Sequence, residues 1–207
     1  MKIALVTYEC PPADFKKISF PNKKKYCEKH GYDFWGSEQK LSKFHRPSWD
    51  KILHVLSFIE GYDWIFWSDA DSFVINSEIK LEQFIDDKKD FIIGVDEHIQ
   101  INIRASRYVG INSGQFFIKN TPWSINLLNT WWEQHKIDSD PPAPQWDQLA
   151  LKKMIGAGGE FYPEKVKVYT NPREGFNVVP EFANPDTFIM HCRREHRNFE
   201  DKKHLIF

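Results

Sequence analysis

An α/β domain built on a largely parallel sheet is the fold class that three features of this sequence predict. Short, continuous apolar runs recur along the chain, as buried strands require. Through the first half they alternate with segments whose apolar residues share one helical face. Gly and Pro fall at the joints between the two. With 207 residues the chain is long enough for one sizeable core and too short for two, and it contains no repeat, low-complexity tract or linker. It reads as a single domain, 1–207.

The elements follow in order. Ile3-Ala4-Leu5-Val6-Thr7-Tyr8, ended by Pro11-Pro12, reads as a buried first strand. Residues 21–30 read as a helix with Pro21 at its start and Gly31 just past its end. Residues 32–35 form a second strand. Ser48 is placed to cap a helix over 49–60, whose Ile52, Val55, Leu56 and Ile59 share a face and which Gly61 terminates. Residues 63–68 are a third apolar strand that runs directly into Asp69-Ala70-Asp71. A helix near 78–85 and a strand at 91–95 come next, then an aperiodic loop over 96–107. Residues 115–119 are strand-like. Thr121 caps a helix that has Pro122 at its first position and continues to His135. Pro141-Pro142-Ala143-Pro144 breaks the chain before a helix over 146–155 closed by Gly156, and late strands lie at 166–169 and 187–191.

Composition narrows the function classes. Hydrophobic residues make up 41% and charged residues 28%, an ordinary globular balance. The net charge of −1 creates no field for nucleic acid or an acidic membrane, so no nucleic-acid partner is expected. Lys23-Lys24-Lys25 reads as a solvated helix face. Eight Trp and seventeen Phe are many; they fit a core of large rings or a cleft lined by aromatic faces. Cys10, Cys27 and Cys192 are scattered without metal-type spacing and suit a reducing compartment. The opening apolar run is too short for a signal peptide, and no stretch is long enough to span a bilayer. The expectation is a soluble, cytoplasmic chain without a membrane anchor, in the host cytoplasm if its source is viral.

The chemistry centres on Trp64-Ile65-Phe66-Trp67-Ser68-Asp69-Ala70-Asp71. An apolar strand followed at once by two acids sets both carboxylates at the strand's carboxyl end, where open α/β sheets bind ligands. Residues i and i+2 point the same way, and a slight bend brings both to one hard cation such as Mg²⁺ or Mn²⁺. Alone, Asp-x-Asp also fits a solvated turn or a helix cap. Gly110 and Gly114 flank Asn112-Ser113, which reads as a tight backbone able to approach a sugar, or as an ordinary loop. Asp147 and Gln148 open a helix and can either touch sugar hydroxyls or favour the helix dipole. Lys51, with Arg46 just ahead, can contact base or phosphate or lie on the surface. His191 ends an apolar strand, as a core histidine or a ligand; Arg193, Arg194, His196 and Arg197 after it can offset phosphate charge.

Arg46-Pro47-Ser48-Trp49-Asp50-Lys51 and Tyr62 to Asp71 resemble the core of one group of retaining glycosyltransferases, which includes fungal α-galactosyl- and mannosyltransferases and plant xyloglucan xylosyltransferases. Gly110 to Asn120 with Trp123-Ser124, Trp146 to Leu151, and His191-Cys192 resemble its further blocks in the same order. The compact form also looks like the glycosyltransferase domain with which a large algal virus modifies its capsid glycan. The resemblance implies a GT-A, Rossmann-like fold with a mostly parallel mixed sheet flanked by helices. It implies transfer, with retention, of a hexose, pentose or deoxyhexose from a nucleotide diphosphate sugar, a UDP-sugar by preference, to a glycan or glycoprotein acceptor. It implies Mn²⁺, or Mg²⁺, at Asp69, Asp71 and His191, with Asp71 a direct ligand, His191 the second protein ligand and Asp69 near the donor's ribose or a metal-bound water, and it implies Asp147 and Gln148 at the reacting sugar. Ser68, Asp69, Ala70, Asn112, Ser113, Gly114 and Arg194 then face the donor, as do Arg46 and Lys51, while Thr7 and Tyr8 lie where such folds hold the base. Two departures stand out: members in cells carry an amino-terminal anchor and stem, and some plant members have a third acid where this chain has Phe73. Two alternatives remain. One is a haloacid-dehalogenase-like phosphatase with Asp69 as nucleophile, though that class expects Thr or Val at position 73 and the motif on its first strand. The other is a non-catalytic sugar-binding module.

Overall fold

A computed structural model of the chain describes residues 1–10, 14–43, 46–95, 110–138, 147–156, 161, 164–171, 173, 175–192 and 202–206. The central sheet has six strands in the order β2-β1-β3-β6-β5-β7: β1 (Ile3–Tyr8), β2 (Asp33–Ser37), β3 (Trp64–Ser68), β5 (Phe91–Val95), β6 (Ile111–Lys119) and β7 (Val166–Tyr169). β1 pairs in parallel with β2 and β3, and β5 with β7, while β6 runs antiparallel between β3 and β5. Only the direction of β6 is reversed, so the sheet is mixed and mostly parallel. A separate two-stranded ribbon pairs β4 (Ser72–Val74) with β8 (Ile189–His191) antiparallel.

The sheet is covered on both faces, which is why its strands are uniformly apolar. On one face α2 (Asp50–Phe58), α3 (Pro122–Glu133) and α4 (Asp147–Ile155) enclose Ile52, Val55, Trp67, Phe116, Leu128 and Trp131. On the other, α1 (Lys16–His30) and the ribbon enclose Leu5, Tyr26, Phe66, Phe117, Phe176 and Phe188. Four tryptophans (Trp49, Trp64, Trp67 and Trp131) are fully buried, so the aromatic excess among the described residues goes mainly into the core. Thr121 caps α3 as expected, its Oγ1 accepting the Ser124 N–H at 3.2 Å. No helix among the described residues is long and apolar enough to cross a membrane.

Several elements differ from the sequence expectation. The first helix starts at Lys16, and Pro21 lies inside it. Its start is held by the buried Glu9 carboxylate, which accepts the N–H groups of Phe15 at 2.8 Å and Lys16 at 2.7 Å. That carboxylate satisfies N–H groups which a helix start leaves open, but from a residue too distant to read as a local cap. Ser48 does not cap α2; a 3₁₀ turn over Pro47–Trp49 leads into it. Residues 78–85 form only a 3₁₀ turn, Leu81–Phe84, because its two apolar residues three apart need no longer helix to reach the core. β2 lies later than 32–35, and β6 begins four residues before 115. β8 is shorter than 187–191 and pairs with β4, a three-residue strand too short to announce itself. The loop at 96–107, the proline break at 141–144 and Trp146 lie outside the described residues.

Candidate functional site

β3 ends at Ser68 and the chain turns. The Asp69 N–H donates to the Gly114 carbonyl at 2.8 Å, and the Ser72 N–H donates back to the Asp69 carbonyl at 3.1 Å. The Asp71 carbonyl accepts the Cys192 N–H at 2.7 Å, which clips the turn to the end of β8. Because Ser72 pairs with His191 in the ribbon, the imidazole is delivered to the acid pair. One ligand atom each from Asp69, Asp71 and His191 lies within 4.8 Å of the others, and His191 Nε2 is 3.2 Å from Asp71 Oδ1. Gly114 makes this possible, since a Cβ there would meet His191 Cε1 at 2.2 Å.

Two carboxylates and an imidazole are a donor set that suits a divalent ion, Mn²⁺ better than Mg²⁺. Their electrostatics are uneven. Burial pushes the Asp69 carboxyl up, Lys51 partly offsets it, and Asp71 raises it further. Burial would raise Asp71 too, but His191, Lys23 and a backbone N–H together outweigh it and hold that carboxyl below the usual range.

Lys51 joins this cluster to a second one. Its Nζ lies 3.2 Å from Asp69 Oδ1 and 3.1 Å from Asp147 Oδ2, and it donates to the Ser113 carbonyl at 3.1 Å. Burial alone would lower this ammonium, but Asp147 and Asp69 overcome it and hold its pKa above the usual value. The Ser113 hydroxyl donates to Asp147 Oδ2 at 3.0 Å, and the Ser113 N–H donates to Gln148 Oε1 at 3.0 Å. Trp131 Nε1 donates to the Asp147 carbonyl at 2.7 Å, fixing the start of α4. Asp147, Gln148, Ser113, Lys51 and Asp69 thus form one connected network. Asn112 is buried beside it, accepting the Gly114 N–H at 2.8 Å.

Other expected site residues lie differently. Thr7 and Ser68 have no exposed surface and act from beneath the turn, Thr7 Oγ1 accepting from Lys23 at 3.3 Å. Tyr8 is buried with its ring 4.7 Å from that of His54. Ala70 is buried within the turn, and Arg46 is exposed ahead of the Pro47 turn. Arg194, with Arg193, His196 and Arg197, lies outside the described residues.

Three residues escaped the sequence reading. Trp67 Nε1 donates to Asp69 Oδ1 at 2.7 Å, and Asn177 Oδ1 lies 2.8 Å from His191 Nδ1. The third corrects the solvated basic face: Lys24 and Lys25 are exposed, but Lys23 is fully buried. Its ammonium donates to the Asp69 carbonyl at 2.6 Å and the Ser68 carbonyl at 3.3 Å. Ser19, Asn22, Lys23, Tyr26 and Cys27 share the buried face at helical spacing, and the last four lie within the helix expected over 21–30. Burial lowers the Lys23 pKa to about 7, against partial opposition from Asp71 and Asp69. An unfolded lysine titrates near 10.4, so between about pH 7 and 10 the unfolded chain binds more protons here and stability rises with pH. Relative to Lys23→Met, the wild-type protein should therefore gain stability between pH 7 and 9.5 in chemical denaturation. A constant difference would show that the ammonium keeps its ordinary pKa.

The family model of the galactosyl transferase GMA12/MNN10 family matches residues 7–185. The chain belongs to this family. Among its relatives, an uncharacterized alpha-1,2-galactosyltransferase of Schizosaccharomyces pombe is 24% identical over 147 residues, covering 58% of this chain and 42% of the relative. Galactomannan galactosyltransferase 1 of Cyamopsis tetragonoloba is 24% identical over 198 residues, covering 90% of this chain and 42% of its own. The chain thus spans about two fifths of the length of these curated relatives. Among solved structures, a glycosyltransferase involved in glycosylation of the major capsid of PBCV-1 superposes with a TM-score of 0.72 at 16% identity, covering 99% of this chain and 98% of that one. The fold is the GT-A fold of glycosyltransferases, and the anticipated likeness to a viral capsid-modifying enzyme is found in the structure.

Proposed function

We propose that this chain transfers a glycosyl group from a nucleotide diphosphate sugar, by preference a UDP-sugar, to a glycan or glycoprotein acceptor, with retention and with a divalent cation. The observation that carries the reading is the convergence of Asp69, Asp71 and His191 within 4.8 Å at the carboxyl end of β3. Those three residues would hold the cation, Mn²⁺ in preference to Mg²⁺ because one donor is an imidazole. When bound, the ion supplies positive charge to the diphosphate as the glycosidic bond to it breaks.

The rest belongs to side chains of the protein. Lys51 holds Asp69 and Asp147 at fixed positions, so the acid that faces the cation and the acid assigned to the sugar move as one unit. Gln148 and Ser113 are tied to each other, which orders the start of α4 against β6 and sets the floor on which a sugar would rest. The phosphatase alternative places its acid motif after the first strand of the chain, whereas Asp69 follows the third, β3. A sugar-binding module without turnover is separated from the proposal by the assay itself.

The purified chain should be incubated with a panel of UDP- and GDP-sugars and a generic phosphomonoester, with product release read by mass spectrometry. Hydrolysis of a UDP-sugar that disappears on exhaustive chelation and returns more fully with Mn²⁺ than with Mg²⁺ is the expected result. Full activity after chelation would remove the metal-dependent reading, and turnover of the phosphomonoester alone would replace it with the phosphatase.

A further inference from the structure

We infer that Asn177 is a positioning residue that holds the His191 ring in the tautomer whose Nε2 is open to a cation. Resting on the reading of His191 as a metal ligand, the inference concerns a residue outside the acid-histidine cluster.

Asn177 is 3% exposed and lies on a segment that the backbone docks against β8. The Val178 N–H donates to the Ile189 carbonyl at 3.3 Å, and the Val178 carbonyl accepts the His191 N–H at 2.8 Å. These bonds leave the Asn177 side chain little freedom to be anywhere but beside the imidazole. Its Oδ1 faces His191 Nδ1 at 2.8 Å. An amide oxygen only accepts, so with Oδ1 on that side Nδ1 carries a hydrogen, and Nε2 is the ring nitrogen left for a cation. Nε2 faces Asp71 Oδ1 at 3.2 Å, within reach of the same ion as that carboxylate.

Among the described residues the buried Asn177 Nδ2 has no hydrogen-bond partner, which makes the amide's orientation part of the test: with oxygen and nitrogen exchanged, Nδ2 would donate to Nδ1 and the ring hydrogen would lie on Nε2. A partner that accepts from the distal ring nitrogen is the general device by which proteins orient metal-binding histidines.

The ring nitrogens are read first in the metal-free wild-type protein by long-range ¹H–¹⁵N correlation, with His191 assigned from its loss in His191→Gln. Hydrogen on Nδ1 is expected. Asn177→Leu removes the acceptor and leaves Asp71 as the acceptor for the ring, so the hydrogen should move to Nε2. Mn²⁺ affinity, measured from the free-ion electron paramagnetic resonance signal, should then fall about 10- to 100-fold. Asn177→Asp restores an acceptor and should bind Mn²⁺ at least as tightly as wild type. A wild-type Nδ1 without hydrogen would overturn the inference, as would unchanged Mn²⁺ affinity in Asn177→Leu. An equal loss in both variants would reduce Asn177 to packing. Should wild type bind no Mn²⁺ at all, the metal-site reading would fall, while the ring spectrum would still decide what Asn177 does.

Discussion

Asp71→Asn should reduce Mn²⁺-dependent turnover of a UDP-sugar by about a thousand-fold while leaving the fold intact. The reduction follows from removing one of two carboxylates at the proposed cation site: several kcal/mol of charge stabilisation at about 1.4 kcal/mol per decade of rate. Preservation of the fold follows from how the turn is held. Its anchors are backbone groups, Cys192 N–H on the Asp71 carbonyl and Ser72 N–H on the Asp69 carbonyl, and the substitution touches neither. The amide has the shape of the acid and removes a charge that pushes the Asp69 carboxyl up. Burial alone would raise the Asp71 carboxyl, but His191 and Lys23 hold it below its usual range, so its charge adds stability at neutral pH and the metal-free variant should melt slightly below the wild-type temperature. Mn²⁺ affinity and melting temperature must be measured on the same preparation. A large drop in melting temperature would make Asp71 a structural acid, and wild-type Mn²⁺ affinity would take it out of the ligand set.

The parts of this site legible in the sequence are those whose signal is local. An apolar strand that stops at two acids reads directly, and β3 with Asp69 and Asp71 lies where that pattern says. His191 was reachable because a short apolar run precedes it, although the run forms a ribbon with β4 and does not join the main sheet. The functional reading of Asp147, Gln148 and Lys51 came chiefly from resemblance, since spacing does not say that a lysine on one helix meets an aspartate 96 positions away. Lys23 reads as solvated because it opens a run of three lysines, a residue type almost never fully buried, although Asn22, Tyr26 and Cys27 share its face. Glu9 and Asn177 act on partners across the fold, one on a helix end and one on an imidazole, and carry no local pattern. What escaped is tertiary in origin: β6 reversing between β3 and β5, and side chains that serve another residue rather than a substrate.

Lys51→Met should destabilise the metal-free protein by about 3–5 kcal/mol, the cost of leaving a buried ion pair with one partner missing. The Lys51 and Asp147 side chains are 6% and 5% exposed, so water cannot replace the lost ammonium around Asp147 without opening the packing between α2, α4 and β6. Asp69, at 29% exposed, is wetter and should contribute the smaller share. The partition can be tested. Asp147→Asn in the Lys51→Met background removes the stranded charge and should recover part of the loss, a coupling of about 0.5–3 kcal/mol. Asp69→Asn in the same background should recover less. Urea denaturation at pH 7 measures all three, and UDP affinity by calorimetry supplies the functional arm. If Lys51 serves only the protein, Lys51→Met/Asp147→Asn should regain stability and bind UDP like wild type. A donor phosphate that takes over the ammonium would show as UDP affinity lost in both variants regardless of stability. A loss under about 1 kcal/mol for Lys51→Met would mean that the pair is solvated and that the two acids are not held as one unit.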